Sequence, residues 1–276
     1  MNHDQIKHIT NNHYRKLKKY FTRIIHGFDA EAIHQFRVEY KKLRAFFRML
    51  SQGHETAGEI KISIKLRKGY NISGSIRDLQ LQLQRIPKAT KQDLKKSQVY
   101  LALLQREIDK LKPELSEIFS ENPVDESKRK TDTSLPDEFK LSGFKVFIQN
   151  KWSTIKTIIT SNHFSDDNIH VIRKSLKDLY YSMKIYEGTE HEVLTRSSWK
   201  GKDEQYFNQL LDELGSFQDK CTAIALLKSY WLNSLNTYNQ ELLGRIKKGW
   251  ISDKVSMKQL LVKKLRADFF PEQATQ

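Results

Sequence analysis

The stretch Ile33-His34-Gln35-Phe36-Arg37-Val38-Glu39-Tyr40-Lys41-Lys42-Leu43-Arg44 decides how this chain folds. Its apolar residues Ile33, Phe36, Tyr40 and Leu43 return every three or four positions, and Phe47 and Leu50 continue the series. That is the period of an amphipathic α-helix. A second series runs beside it: His34, Arg37, Lys41, Arg44 and Arg48 stand at i, i+3, i+7, i+10 and i+14. At about 100° per residue these side chains share an arc of roughly 80°. The spacing predicts a helix with one apolar face and one basic ridge, capped by Asp29 and ending near Ser51.

The pattern returns about 140 residues later, in Ile169-His170-Val171-Ile172-Arg173-Lys174-Ser175-Leu176-Lys177-Asp178-Leu179-Tyr180. His170, Arg173, Lys177 and Lys184 keep the offsets of His34, Arg37, Lys41 and Arg48, while Tyr180 stands at the Arg44 position. A second marker follows each ridge: Ser73-Gly74-Ser75-Ile76-Arg77-Asp78 is answered by Leu214-Gly215-Ser216-Phe217-Gln218-Asp219. Two markers in one order imply an internal duplication, with a period too long for a solenoid. The expectation is a duplicated helical bundle, with repeat 1 over about 1–120 and repeat 2 over about 139–276. Residues 121–138 hold almost nothing apolar and read as a solvated linker. Two basic ridges suggest one surface for a long polyanion.

Only 5 prolines and 11 glycines interrupt the chain, and helical periodicity dominates, so the fold class is all-α. A first helix is expected over 5–26, with Ile6, Ile9, Tyr14, Leu17, Phe21, Ile24 and Ile25 on its apolar side. A third should cover 55–70 and break at Gly69 and residues 71–74. A fourth should start near Ser75 and stop before Pro87. A long fifth should span 90–119, bent or interrupted at Pro113. In the second half helices are expected over 144–159, from a cap at Asp166 or Asp167, and over 203–214, 216–236, 237–249 and 253–268.

Lys plus Arg exceed Asp plus Glu by 48 − 33 = 15. A field of that size favours anionic partners: nucleic acid, anionic lipid heads or polyphosphate. With 38% hydrophobic and 11% aromatic residues the chain can build a core, which argues against disorder. The single cysteine, Cys221, rules out an internal disulfide and reads as a small core residue of a helix. Residues 1–8 carry no apolar h-region, and no run of about 18 apolar residues occurs. A cytoplasmic location is expected.

A solvated helix face usually mixes charge signs. Here Arg37 and Lys41, and Arg44 and Arg48, are like-charged pairs four apart, which oppose the helix by a few tenths of a kcal/mol. Glu31 and Glu39 fall off the ridge. The ridge therefore reads as a binding surface. His34 and His170 sit among cations, with no second ligand three or four residues away, so neither reads as a metal ligand. They read as hydrogen-bond donors to phosphate oxygens, and an anion would favour their protonated form. Secondary candidates are Lys61, Lys65 and Lys68 on the third helix, Lys16, Lys19 and Arg23 on the first, and Arg77. Asp78 and Asp219 read as helix caps. The chain has no Walker loop, HExxH, CxxC or Gly-x-Ser-x-Gly, and the ridge helices lack clustered carboxylates for metal-assisted phosphoryl chemistry. A non-enzyme without a cofactor is expected.

These motifs resemble the CHAD family, the conserved histidine α-helical domain. His34, Arg37, Lys41, Leu43 and Arg44 match its first hallmark, and His170, Arg173, Lys177, Leu179 and Tyr181 match the second copy. Its Gly-x-x-Arg-Asp element is matched by Gly74, Arg77 and Asp78, and partly by Gly215 and Asp219. The resemblance spans almost the whole chain as a single domain. It implies two four-helix-type bundles related by pseudo-two-fold symmetry around a basic central groove. It also implies binding of inorganic polyphosphate and association with polyphosphate granules. No strand-rich triphosphate-tunnel segment accompanies it, so the form is stand-alone. Asp178, Tyr180 and Gln218 depart from the family pattern, which predicts a weaker grip by the second half. The competing readings are a nucleic-acid-binding helical protein and an accessory to a polyphosphate-processing enzyme. Phe36, Tyr40 and Phe47 lie on the core side, which counts against base stacking.

Overall fold

The computed structural model describes residues 1–52, 58–90, 97–186 and 202–269. Its helices are α1 His3–Gly27, α2 Ala30–Gln52, α3 Ile64–Ala89, α4 Gln98–Ser120, α5 Pro123–Asp132, α6 Leu141–Thr160, α7 Asp166–Tyr186, α8 Glu204–Leu226, α9 Ser229–Asn233 and α10 Thr237–Phe269. Among the described residues there is no strand, only an isolated antiparallel bridge between Asn2 and Glu138. The all-α expectation is met. No helix among these residues is long and apolar enough to cross a membrane. The chain forms two compact units, Met1–Lys140 with Leu226–Ile246, and Leu141–Ala225 with Lys247–Gln276.

In the first unit α1 packs on α2, α2 on α3, and α3 on α4. Asn2 and Gln5 close a capping box that starts α1. Leu17, Phe21 and Ile24 of α1 are buried, as is Phe36 of α2, while Ile25, expected on the same side, is 41% exposed. The Phe119 ring of α4 lies 4.6 Å from Phe21 and 5.7 Å from Phe36.

The break expected at Gly69 and residues 71–74 does not occur. Ser63 caps α3, which then runs unbroken to Ala89. The glycines are points of close approach. A Cβ at Gly69 would lie 2.7 Å from Phe119 Cε1, and one at Gly74 would lie 2.2 Å from Arg37 Nη1. Asp78 therefore sits inside a helix and is no cap. Likewise α4 continues through Pro113. Thr90, the expected start of that helix, ends α3 instead, and residues 91–96 lie outside the described set, as do 53–57.

The segment read as a solvated linker contains α5. Its buried face is made of Val124, Ser127 and Thr131. Thr131 Oγ1 donates to the Tyr14 hydroxyl at 3.1 Å, and the Tyr14 hydroxyl lies 2.9 Å from Ser127 Oγ. Burial pushes the Tyr14 phenol up to about 12. Hydroxyl pairs replace apolar contacts here, so a search for hydrophobic periodicity passes over the helix.

In the second unit α6 packs on α7. Ser165, not Asp166 or Asp167, caps α7, accepting from the Asn168 N–H at 3.0 Å. Gly215 interrupts nothing: α8 runs from Glu204 to Leu226, and Asp219 lies inside it rather than at a cap. The helix expected over 216–236 ends at Leu226 and is followed by the short α9, and the two expected over 237–249 and 253–268 are one continuous α10. Cys221 is half-buried rather than part of the core, with its Sγ 4.0 Å from Asp166 Oδ2. Burial and the nearby Asp166 charge push its thiol up.

Candidate anion-binding ridges

The first ridge begins at the Asp29 cap, whose carboxylate accepts from the N–H groups of Glu31 and Ala32. Those bonds, with Arg23, hold its carboxyl below the usual range. Ile33, Phe36, Tyr40, Leu43, Phe47 and Leu50 are all buried, as are Ala45, Phe46 and Met49. The basic side of α2 is left partly open. Arg37, Lys41, Arg44 and Arg48 are half-buried there and His34 is exposed.

Arg37 and Arg44 are positioned by rings and a carbonyl, with no carboxylate paired to either among the described residues. Arg37 Nη1 donates to the Tyr70 carbonyl at 2.7 Å, and the guanidinium lies 4.5 Å from the Tyr70 ring centroid. The bare backbone of Gly74 lets the guanidinium approach. Tyr70 and Tyr40 stack at 4.1 Å, and Arg44 lies 5.9 Å from the Tyr40 centroid and 5.8 Å from that of Tyr70. Arg44 Nε is buried with no hydrogen-bond partner. A guanidinium over a ring face keeps its N–H donors in its own plane, available to another acceptor.

The Glu39 carboxylate of α2 is taken up by His13 and Lys42. Glu39 is 4% exposed and accepts from His13 Nδ1 at 2.9 Å and from Lys42 Nζ at 3.1 Å. Burial pushes its carboxyl up, but His13 and Lys42 outweigh that and hold it down at about 2. Glu39 thus stays charged and satisfied inside the bundle.

The second ridge is built on the same plan with different details. His170 Nδ1–H donates to Gln218 Oε1 at 2.8 Å, which fixes the tautomer and leaves Nε2 as the second ring site. Burial, with Lys174 and Arg173 nearby, holds the ring below its ordinary value. Gly215 again faces the arginine, but a Cβ there would stand 3.5 Å from Arg173 Nη2, an ordinary contact. Lys177 is driven down to about 8 by burial and by the Arg173 charge, against the pull of Asp212 and Asp219. Farther along, Glu204 accepts from Lys184 at 2.6 Å and from the Tyr180 hydroxyl at 3.1 Å. Asp178 is buried and bonded to Lys151 at 2.9 Å.

The secondary candidates stand apart from this pattern. Lys65 bonds Glu121, Lys68 lies 3.5 Å from Glu114 and Lys61 lies 3.7 Å from Glu59. Lys16 and Lys19 are exposed on α1, where Arg23 pairs with Asp29. Arg77 donates to the Ala30 carbonyl at 3.3 Å, near the start of α2. Sequence reasoning missed Tyr70, Gly74 as the seat of Arg37, and Gln218 as the partner of His170. The available signal was a glycine inside an apolar-periodic segment, where it weakens a helix and so needs a packing reason.

No curated protein matches this chain. In overall structure it is similar to the CHAD domain from the plant Ricinus communis, at a TM-score of 0.73 and 15% identity over 100% of this chain and 94% of that one. It is also similar to PptA from Streptomyces chartreusis, at a TM-score of 0.61 and 12% identity over 96% and 98% of the two chains. A family model of the CHAD domain matches residues 8–228, which include both histidine-led ridges and both glycine seats, and the chain belongs to that family.

Proposed function

We propose that the chain is a non-catalytic module that binds inorganic polyphosphate and resides on polyphosphate granules in the cytoplasm. The observation that carries this reading is the state of Arg37. It is half-buried and oriented by a carbonyl and a ring, and no carboxylate among the described residues neutralises it. Arg44 supports it with a buried donor lacking an acceptor. A chain of phosphate oxygens supplies acceptors of matching charge, and guanidinium groups bind them in charge-assisted, often bidentate pairs. Nucleic acid fits less well. Tyr40 and Tyr70 are buried and stacked on each other, so neither ring is open to a base.

Retention of fluorescent polyphosphate should fall steeply with salt, as phosphate contacts to nucleic acids do. Transfer RNA and single-stranded DNA at equal phosphate concentration should fail to displace it. Displacement by either would favour the nucleic-acid reading. Incubation with divalent metal should release no phosphate.

The second ridge should also bind in a pH-dependent way. A bound anion favours charged Lys177, so above pH 8 binding must bring in a proton. In an Arg37→Ala background, affinity should drop as pH rises through 8, by up to about tenfold per unit while the bound lysine stays charged. It should rise again in acid as His170 gains its proton. Without anion the sign is opposite: a lysine depressed by folding makes stability rise between pH 8 and its ordinary range. Lys177→Gln should flatten the alkaline limb, and an unchanged limb would reject the assignment.

A further inference from the structure

A cavity of about 930 Å³ lies within the second unit, lined by residues other than those of its ridge. Its volume is in the range of about 300–1,000 Å³ typical of small-molecule sites. One wall is the end of α6, with Ile159. The other is a face of α10 that carries Val255, Lys258, Val262, Lys263 and Arg266 at helical spacing. This face alternates aliphatic side chains with cations and is left open, with Val255 48% exposed. The charges are unequally compensated. Lys258 bonds Asp166 at 3.0 Å, and Asp166 is shared with Lys254. Arg266 is held by the neutral Asn162 and lies 5.6 Å from the Phe164 ring centroid. Lys263 makes no ion pair among the described residues. The cavity thus offers an aliphatic lining with an excess of positive charge at its edge.

We infer that this cavity is a second binding site, for a single-chain amphiphile with an anionic head. The head, phosphate or carboxylate, takes Lys263 and Arg266, and the chain lies against Ile159, Val255 and Val262. The site is independent of the ridges.

The test is calorimetric titration of the full chain with dodecyl phosphate and dodecanoate, each below its critical micelle concentration. One molecule per chain should bind, and binding of either probe supports the site while naming its head group. Lys263→Gln with Arg266→Gln should weaken binding about tenfold, the scale of a lost charge-assisted bond. Val262→Trp, which fills the cavity and keeps the cations, should do the same. Both variants should retain polyphosphate like the parent, so failure here is distinguishable from failure of the ridges. The inference is overturned if neither probe binds or if both variants bind like the parent. Equal binding of dodecyltrimethylammonium, or displacement by inorganic triphosphate, overturns it as well.

Discussion

Arg37→Ala is expected to lower polyphosphate affinity about 10- to 100-fold, the scale of one or two hydrogen bonds to a charged group. The guanidinium is held by both the Tyr70 carbonyl and the Tyr70 ring, so little rotamer freedom remains to be lost on binding. Gly74→Ala should have nearly the same effect on affinity without replacing the arginine. Its Cβ would lie 2.2 Å from Nη1 and 2.7 Å from Cζ. The guanidinium is the end of a flexible chain, so it swings away rather than distorting the helix. Stability should therefore change little, because alanine regains about 0.5–1 kcal/mol of helix propensity as the Arg37 contacts are lost. Gly215→Ala is the control. At 3.5 Å its Cβ is tolerated, so Arg173 should stay in place and binding should persist. Fluorescence anisotropy for affinity and urea unfolding for stability read the two effects separately. Full affinity in Gly74→Ala would remove the argument that the glycine exists to seat Arg37.

Arg173→Ala should weaken binding less than Arg37→Ala. The reason lies in what surrounds each arginine. On the first ridge Arg44 stands one helical step beyond Lys41 with a donor unfilled. On the second, that position is Tyr180, which with Lys184 is already engaged by Glu204. An anion reaching that end must compete with a carboxylate. Position 218 shows the same shift: Arg77 is a fixed charge, whereas Gln218 is a neutral hydrogen-bond partner that aims His170. The duplication has kept the geometry of the ridge and altered its charge.

The ridge was legible because helical period and charge sign both lie in the sequence, and burial of Ile33, Phe36, Tyr40, Leu43, Phe47 and Leu50 follows the apolar series. The breaks were not. Gly69, Gly74 and Gly215 are weak helix formers, and local reasoning ends helices at such residues. Tertiary neighbours, Phe119 at Gly69 and Arg37 at Gly74, give two of these glycines a packing reason inside a continuous helix. The linker was misread for a related reason. Ser127 and Thr131 look solvated until Tyr14, more than a hundred residues away, supplies their hydrogen bonds. Asp178 shows the limit for charges. Its place beside the ridge was visible, but not that Lys151 of α6 would pair with it inside the bundle.

Phe119→Ala is expected to destabilise the first unit by about 3–5 kcal/mol, the usual range for emptying a buried phenylalanine site. The ring is 1% exposed, touches Phe21 and Phe36, and fills the notch left by the missing side chain of Gly69. Three helices meet on it, so the neighbours have little room to close the void. Gly69→Ala probes the same contact from the other side. Its Cβ would press on Phe119 Cε1 at 2.7 Å, and this ring, unlike the Arg37 guanidinium, is pinned by Phe21 and Phe36. An alanine there should destabilise, reversing the usual gain from replacing a helical glycine. Urea unfolding followed by far-ultraviolet circular dichroism measures both. A Phe119→Ala loss below about 1 kcal/mol, or a stabilising Gly69→Ala, would mean that the α3–α4 seam relaxes and that Gly69 is not a packing glycine.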